Sequence, residues 1–118
     1  MTTDPEAAVL AKIAGWPDPH GAAGARLHAM LTGAGVGLVP RLWYGMPGYA
    51  RSRTGPVLCF FRVDDHLTFG LTEKVTVAPE EGSGTGLMPC AWYVTGLDPA
   101  TEAAIAAIVR RTIGGPAG

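Results

Sequence analysis

Apolar residues recur along the chain with two different spacings, and the change from one to the other marks out the architecture. Val9, Ile13 and Trp16 stand four and three residues apart, Ala23, Leu27, Met30 and Leu31 follow a similar rhythm, and Ile105, Ile108, Val109 and Thr112 fall at i, i+3, i+4 and i+7. A stripe of that period buries one side of a helix. Each stretch is preceded by the same dipeptide, at Asp4-Pro5, Asp18-Pro19 and Asp98-Pro99. Aspartate offers its carboxylate to the free N–H groups of a first turn, and proline at the first helical position loses no hydrogen bond. The pattern predicts helices from Pro5 to about Ala14, from Pro19 to about Thr32 and from Pro99 to about Ile113. Gly15 with Pro17, Gly33 with Gly35, and Gly114 end them. Gly21 and Gly24 weaken the second helix, so packing must hold it.

Between the helices the period becomes two. Val57 to Val63 and His66 to Leu71 are rich in aromatic and branched residues, and Asp64-Asp65 alone separates them, the length of a tight hairpin. That loop sets Val63 opposite His66, Phe61 opposite Thr68 and Cys59 opposite Gly70 on one side. Arg62 with Leu67, Phe60 with Phe69 and Leu58 with Leu71 share the other, which reads as the stronger core face. The side carrying Cys59, Phe61 and Val63 is still too apolar to stand in water, so a helix of the chain, a subunit or a ligand is expected to cover it. An edge strand is expected over Gly48 to Arg53 and a further strand from about Cys90 to Thr95. The expectation is an α+β fold, with an antiparallel sheet of about four to five strands flanked by N-terminal helices and a C-terminal helix.

With 118 residues, 47% of them hydrophobic and 16% charged, the chain has the size and apolar content of one domain over 1–118. Residues 1–18 are expected to form a loosely docked first helix and 114–118 a flexible tail. The formal net charge of −1 supplies no global field for a polyanion, which argues against a nucleic-acid partner. Met1 to Leu10 carries Asp4 and Glu6 where a secretory leader carries basic residues, and no stretch approaches about 18 uncharged apolar residues. The expected location is cytoplasmic, with no membrane partner and with Cys59 and Cys90 as free thiols.

The segment Leu42-Trp43-Tyr44-Gly45-Met46-Pro47-Gly48-Tyr49-Ala50, followed by Val57-Leu58-Cys59-Phe60-Phe61 and Leu67-Thr68-Phe69-Gly70, resembles the signature of the YdhG-like domain of unknown function. The last helix, with Ile105, Ile108, Val109 and Arg110, is similar to that family's closing helix, and the likeness runs from about Leu27 onward. It implies an antiparallel sheet flanked by helices and no established catalytic residue. Some members are described as frataxin-like iron chaperones. One departure is the glycine-rich run Gly82 to Leu87, which lacks the Lys or Arg that many relatives carry there.

The chemistry-bearing residues assemble no catalytic set. Cys59 lies in an apolar strand, where its thiolate is disfavoured, and no His is placed beside it. His66 beside Asp64 and Asp65 reads as a hairpin shoulder, although a carboxylate can orient an imidazole. His20 and His28 stand two helical turns apart and cannot share a metal unaided. Labile iron favours clustered carboxylates, whereas the ten acidic residues are scattered; Glu73, Glu80 and Glu81 lie outside the caps and turns, and Glu80 and Glu81 are the ligands an iron carrier would need. The Trp43 to Pro47 block has the composition of a pocket wall or a contact surface. The expected ligand-binding set is Trp43, Tyr44, Met46, Tyr49, Arg51, Phe61 and His66, in a noncatalytic binding module without a cofactor. Its occupant is expected to be a small molecule or a second copy of the chain.

Overall fold

A computed structural model describes residues 4–75 and 84–114. Its elements run α1 (Pro5–Ala14), α2 (His20–Thr32), β1 (Val39–Trp43), β2 (Met46–Ala50), β3 (Val57–Val63), β4 (Leu67–Leu71), β5 (Ala91–Val94) and α3 (Pro99–Thr112). The five strands form one antiparallel sheet in the order β1-β2-β3-β4-β5, so each strand pairs with its neighbours in sequence. This is the expected α+β class.

The three helices bury their apolar residues in one cluster with a single face of the sheet. Val9 and Ile13 of α1, Leu27 and Leu31 of α2, and Ile105 and Val109 of α3 join Tyr49, Cys59, Phe61, Leu67, Phe69 and Leu71. Polar contacts tie the helices to each other. Glu6 of α1 meets His28 of α2 at 3.0 Å, and Arg26 of α2 meets Glu102 of α3 at 2.9 Å. The first helix is firmly seated rather than loosely docked: Val9 is wholly buried, and Trp16 just beyond α1 sets its ring edge against Phe61 at 5.9 Å. Gly24 permits that approach, since a Cβ there would lie 2.9 Å from the Trp16 ring.

The hairpin register differs from the expected one by a residue. Val63 pairs with Leu67, Phe61 with Phe69 and Cys59 with Leu71, because the loop takes in His66 as well as Asp64 and Asp65, with the Asp64 N–H donating to the His66 carbonyl at 3.1 Å. A one-residue shift turns every side chain of β4 over. It brings six apolar residues to one face, where the shorter loop would have divided them. Burying a Leu or Phe contributes about 1.5–3 kcal/mol, so the longer loop wins by gathering Leu67, Phe69 and Leu71 under the helices. The face expected to be the core, with Leu58 and Phe60, is instead the outer one. The side with Cys59 and Phe61 is covered by the chain's own helices.

The edge strand is also corrected. β2 begins at Met46, lies inside the sheet and ends at Ala50, while β1, which was not anticipated, forms the edge. Its Pro40 fits that place, since proline cannot donate to a central ladder. Tyr44 and Gly45 have φ of 51° and 76°, as in the two-residue turns that suit the twist of a hairpin. A bulge then follows: Tyr49 pairs with Cys59 but Ala50 with Val57, leaving Leu58 as the extra residue. Of the three aspartates expected as caps, Asp98 accepts from the Thr101 N–H at 2.8 Å. Asp4 occupies the cap position without a side-chain bond, and α2 starts at His20, one residue beyond a cis Asp18-Pro19 bond.

Candidate functional site

With the helices on one side, alternation along the strands dictates what the other side carries. Phe60 of β3 stands between Gly48 of β2 and Gly70 of β4, and the row continues to Ala91 of β5. Three of those positions are small, so Phe60 has no tall neighbour beside it in the row. Its ring lies down over Gly70, where an added Cβ would come within 2.6 Å of the ring. On the β1 side it meets Trp43 at 5.4 Å between ring centres, and Trp43 meets Tyr44 edge-on at 4.8 Å. Trp43, Met46, Leu58 and Phe60 are each half-buried, and Tyr44 is 84% exposed. On the far side of Phe60, Arg62, Thr68 and Tyr93 form the next row; Tyr93, 71% exposed, stacks on His66 at 4.7 Å. Arg62 is compensated locally by Asp64 at 3.1 Å. The centre of this face is aromatic and uncharged.

The seven residues expected to bind a ligand are divided by the fold. Trp43 and Met46 pair across the β1–β2 turn and share the outer face, with Tyr44 at the turn itself and His66 at the opposite margin beside Tyr93. Tyr49 and Phe61 lie on the helix side, fully buried and stacked at 5.6 Å. Arg51, just past β2, donates to the carbonyl of Ile113 at the end of α3. Trp43, Tyr44 and Met46 therefore converge with Phe60, and Tyr49, Phe61 and Arg51 serve the core and its closure. Glu80 and Glu81 lie outside the described residues; among those that are described, no three His, Cys, Asp or Glu side chains come together as a metal site.

Sequence reasoning missed a buried polar chain. The Tyr49 hydroxyl lies 3.0 Å from Nδ1 of His28, whose Nε2 lies 3.0 Å from the Glu6 carboxylate. The one available signal was His28 next to Leu27 on the apolar stripe of α2. Burial pushes the Tyr49 phenol up, with Cys59 and Glu6 adding to the effect. The Cys59 thiol is pushed up to about 12 by burial alone, which leaves it protonated at neutral pH and a poor nucleophile. Neither group is poised for acid–base or nucleophilic chemistry.

Comparisons with protein-family models, with curated proteins and with solved structures find no match to this chain.

Proposed function

We propose that this domain is a noncatalytic binding module of the YdhG-like kind, and that its contact surface is the outer sheet face centred on Phe60 and Trp43. The observation that carries the reading is the arrangement of the sheet: the helices among the described residues pack on one side, and the other presents a half-buried aromatic cluster beside Arg62, which is paired with Asp64. A sheet face suits a second sheet packed on it, and the recess on this one, lined by Arg62, Thr68, Ala91, Trp92 and Tyr93, lies to the side of the aromatic pair Trp43 and Phe60. A second copy of the chain is the occupant that fits best. The net charge of −1 sets up almost no repulsion between copies, and the Phe60 ring, lying over Gly70, leaves a low aromatic surface that a facing copy can cover. In a reducing cytoplasm both thiols stay free. The iron-carrier expectation rests on the family likeness and on Glu80 and Glu81, and no side-chain cluster among the described residues favours it.

Light scattering coupled to size exclusion, run across a concentration series, tests the proposal. The chain is expected to approach twice its monomer mass as concentration rises. Phe60→Arg should hold it at monomer mass with an unchanged circular dichroism spectrum, whereas Leu10→Arg on the helix side should not. A monomer at every concentration would refute the self-contact.

A further inference from the structure

A separate concave site lies where the first turn of α1 approaches the edge strand β1 and the loop after β2. The cleft measures about 480 Å³, and its walls carry opposite charges: Asp4 and Glu6 on the helix side, Arg41 and Arg53 on the strand and loop side. Charges of both signs around one cleft ordinarily pair with each other. Here they do not. The ion pairs among the described residues join Arg26 to Glu102, His28 to Glu6 and Arg62 to Asp64, so neither guanidinium reaches either carboxylate across the gap. Each wall is held from behind. Glu6 is anchored by Nε2 of His28, which is itself fixed by the buried Tyr49 hydroxyl. Arg41 donates through one terminal nitrogen to the Arg53 backbone carbonyl at 3.1 Å, and its other N–H groups remain for a ligand. The Asp4 carboxylate makes no capping bond to α1.

We propose that this cleft binds a small zwitterion, an amino acid or similar amino-carboxylate, with the carboxylate against Arg41 and Arg53 and the ammonium against Asp4 and Glu6. Guanidinium groups meet a carboxylate through paired, charge-assisted hydrogen bonds, and an ammonium gives its three donors to carboxylate oxygens. A simple anion would face two repelling carboxylates, and a simple cation two repelling arginines. Only a ligand bearing both signs satisfies both walls.

Two-dimensional amide NMR of the full chain decides the matter. Free L-alanine and L-glutamine are titrated in, with acetate and methylammonium as probes of a single charge. The amides of Glu6, Arg41 and Arg53 are expected to move saturably with the amino acids and much less with either single-charge probe. Arg53→Gln and Asp4→Asn should each weaken binding about tenfold, the effect of losing one charge-assisted contact. Both positions are exposed, and Asn still suits a cap, so both variants should fold. Arg62→Gln, on the outer sheet face, should change nothing. The proposal is overturned by the absence of a saturable response to both amino acids, by an equal response to acetate, or by unaltered affinity in both variants.

Discussion

Phe61 stands directly opposite Phe69 across the β3–β4 ladder, both wholly buried beneath the helices. Their neighbours in sequence, Phe60 and Gly70, are paired in the same way on the outer face. One ladder thus separates a core role from a surface role between adjacent phenylalanines. Phe61→Ala should cost about 3–5 kcal/mol, the usual loss for a buried aromatic. Phe60→Ala, which vacates a half-buried place, should cost far less. Urea denaturation of the two variants measures the difference. Equal losses would mean that the hairpin is not registered as described.

The Glu6–His28–Tyr49 chain leads to a second expectation. Tyr49→Phe keeps the ring on Phe61 but leaves Nδ1 of His28 buried and unpaired, at a cost of about 1–3 kcal/mol. In a double-mutant cycle with His28→Ala, the two losses should fall well short of adding, because either change removes the same bond.

The two thiols should separate cleanly under a colorimetric thiol reagent. Cys90 is exposed and should react in the native protein, while buried Cys59 should react only as the chain unfolds. Rapid modification of both without denaturant would contradict the sealing of the helix face.

Alkaline pH should destabilise the fold for the same reason. The folded Cys59 thiol holds its proton up to about 12, whereas the unfolded thiol releases it near the ordinary value of 9.0. Above that ordinary value the unfolded state binds fewer protons than the folded one, so stability falls as pH rises. The Tyr49 phenol shifts in the same direction and adds to the slope. Urea midpoints measured upward from neutral pH should decline, and the decline should be shallower in Tyr49→Phe.

At acid pH the informative group is Asp98. The bond from the Thr101 N–H holds its carboxyl below the usual carboxylate range. A lowered folded value means that the contribution is complete above the unfolded pKa and disappears as pH falls through the folded one. Asp98→Ala should therefore lower the melting temperature at neutral pH, and the gap to the unaltered chain should close in acid. Asp98→Asn should retain most of the cap. Thermal melts of the three proteins at several pH values supply the comparison.

Local chemistry along the chain was enough to place three helices and the strands β3, β4 and β5 to within a residue or two, because periodicity and caps act over a single turn or a few residues of strand. Asp98 declared its cap, and the Val57 to Val63 run declared its strand with the bounds that the structure shows. The register was beyond that reach. Asp64-Asp65 reads as a two-residue turn, yet the structure takes His66 into the loop as well, a choice made by Leu67, Phe69 and Leu71 meeting helices tens of residues away in sequence. The same distant packing put Tyr49 and Phe61 on the buried helix side and Phe60 on the outer face. Tertiary contact alone carried Glu6 to His28 and opposed Asp4 and Glu6 to Arg41 and Arg53, for a hydrogen bond or a charged cleft between remote segments leaves no periodic trace in either of them.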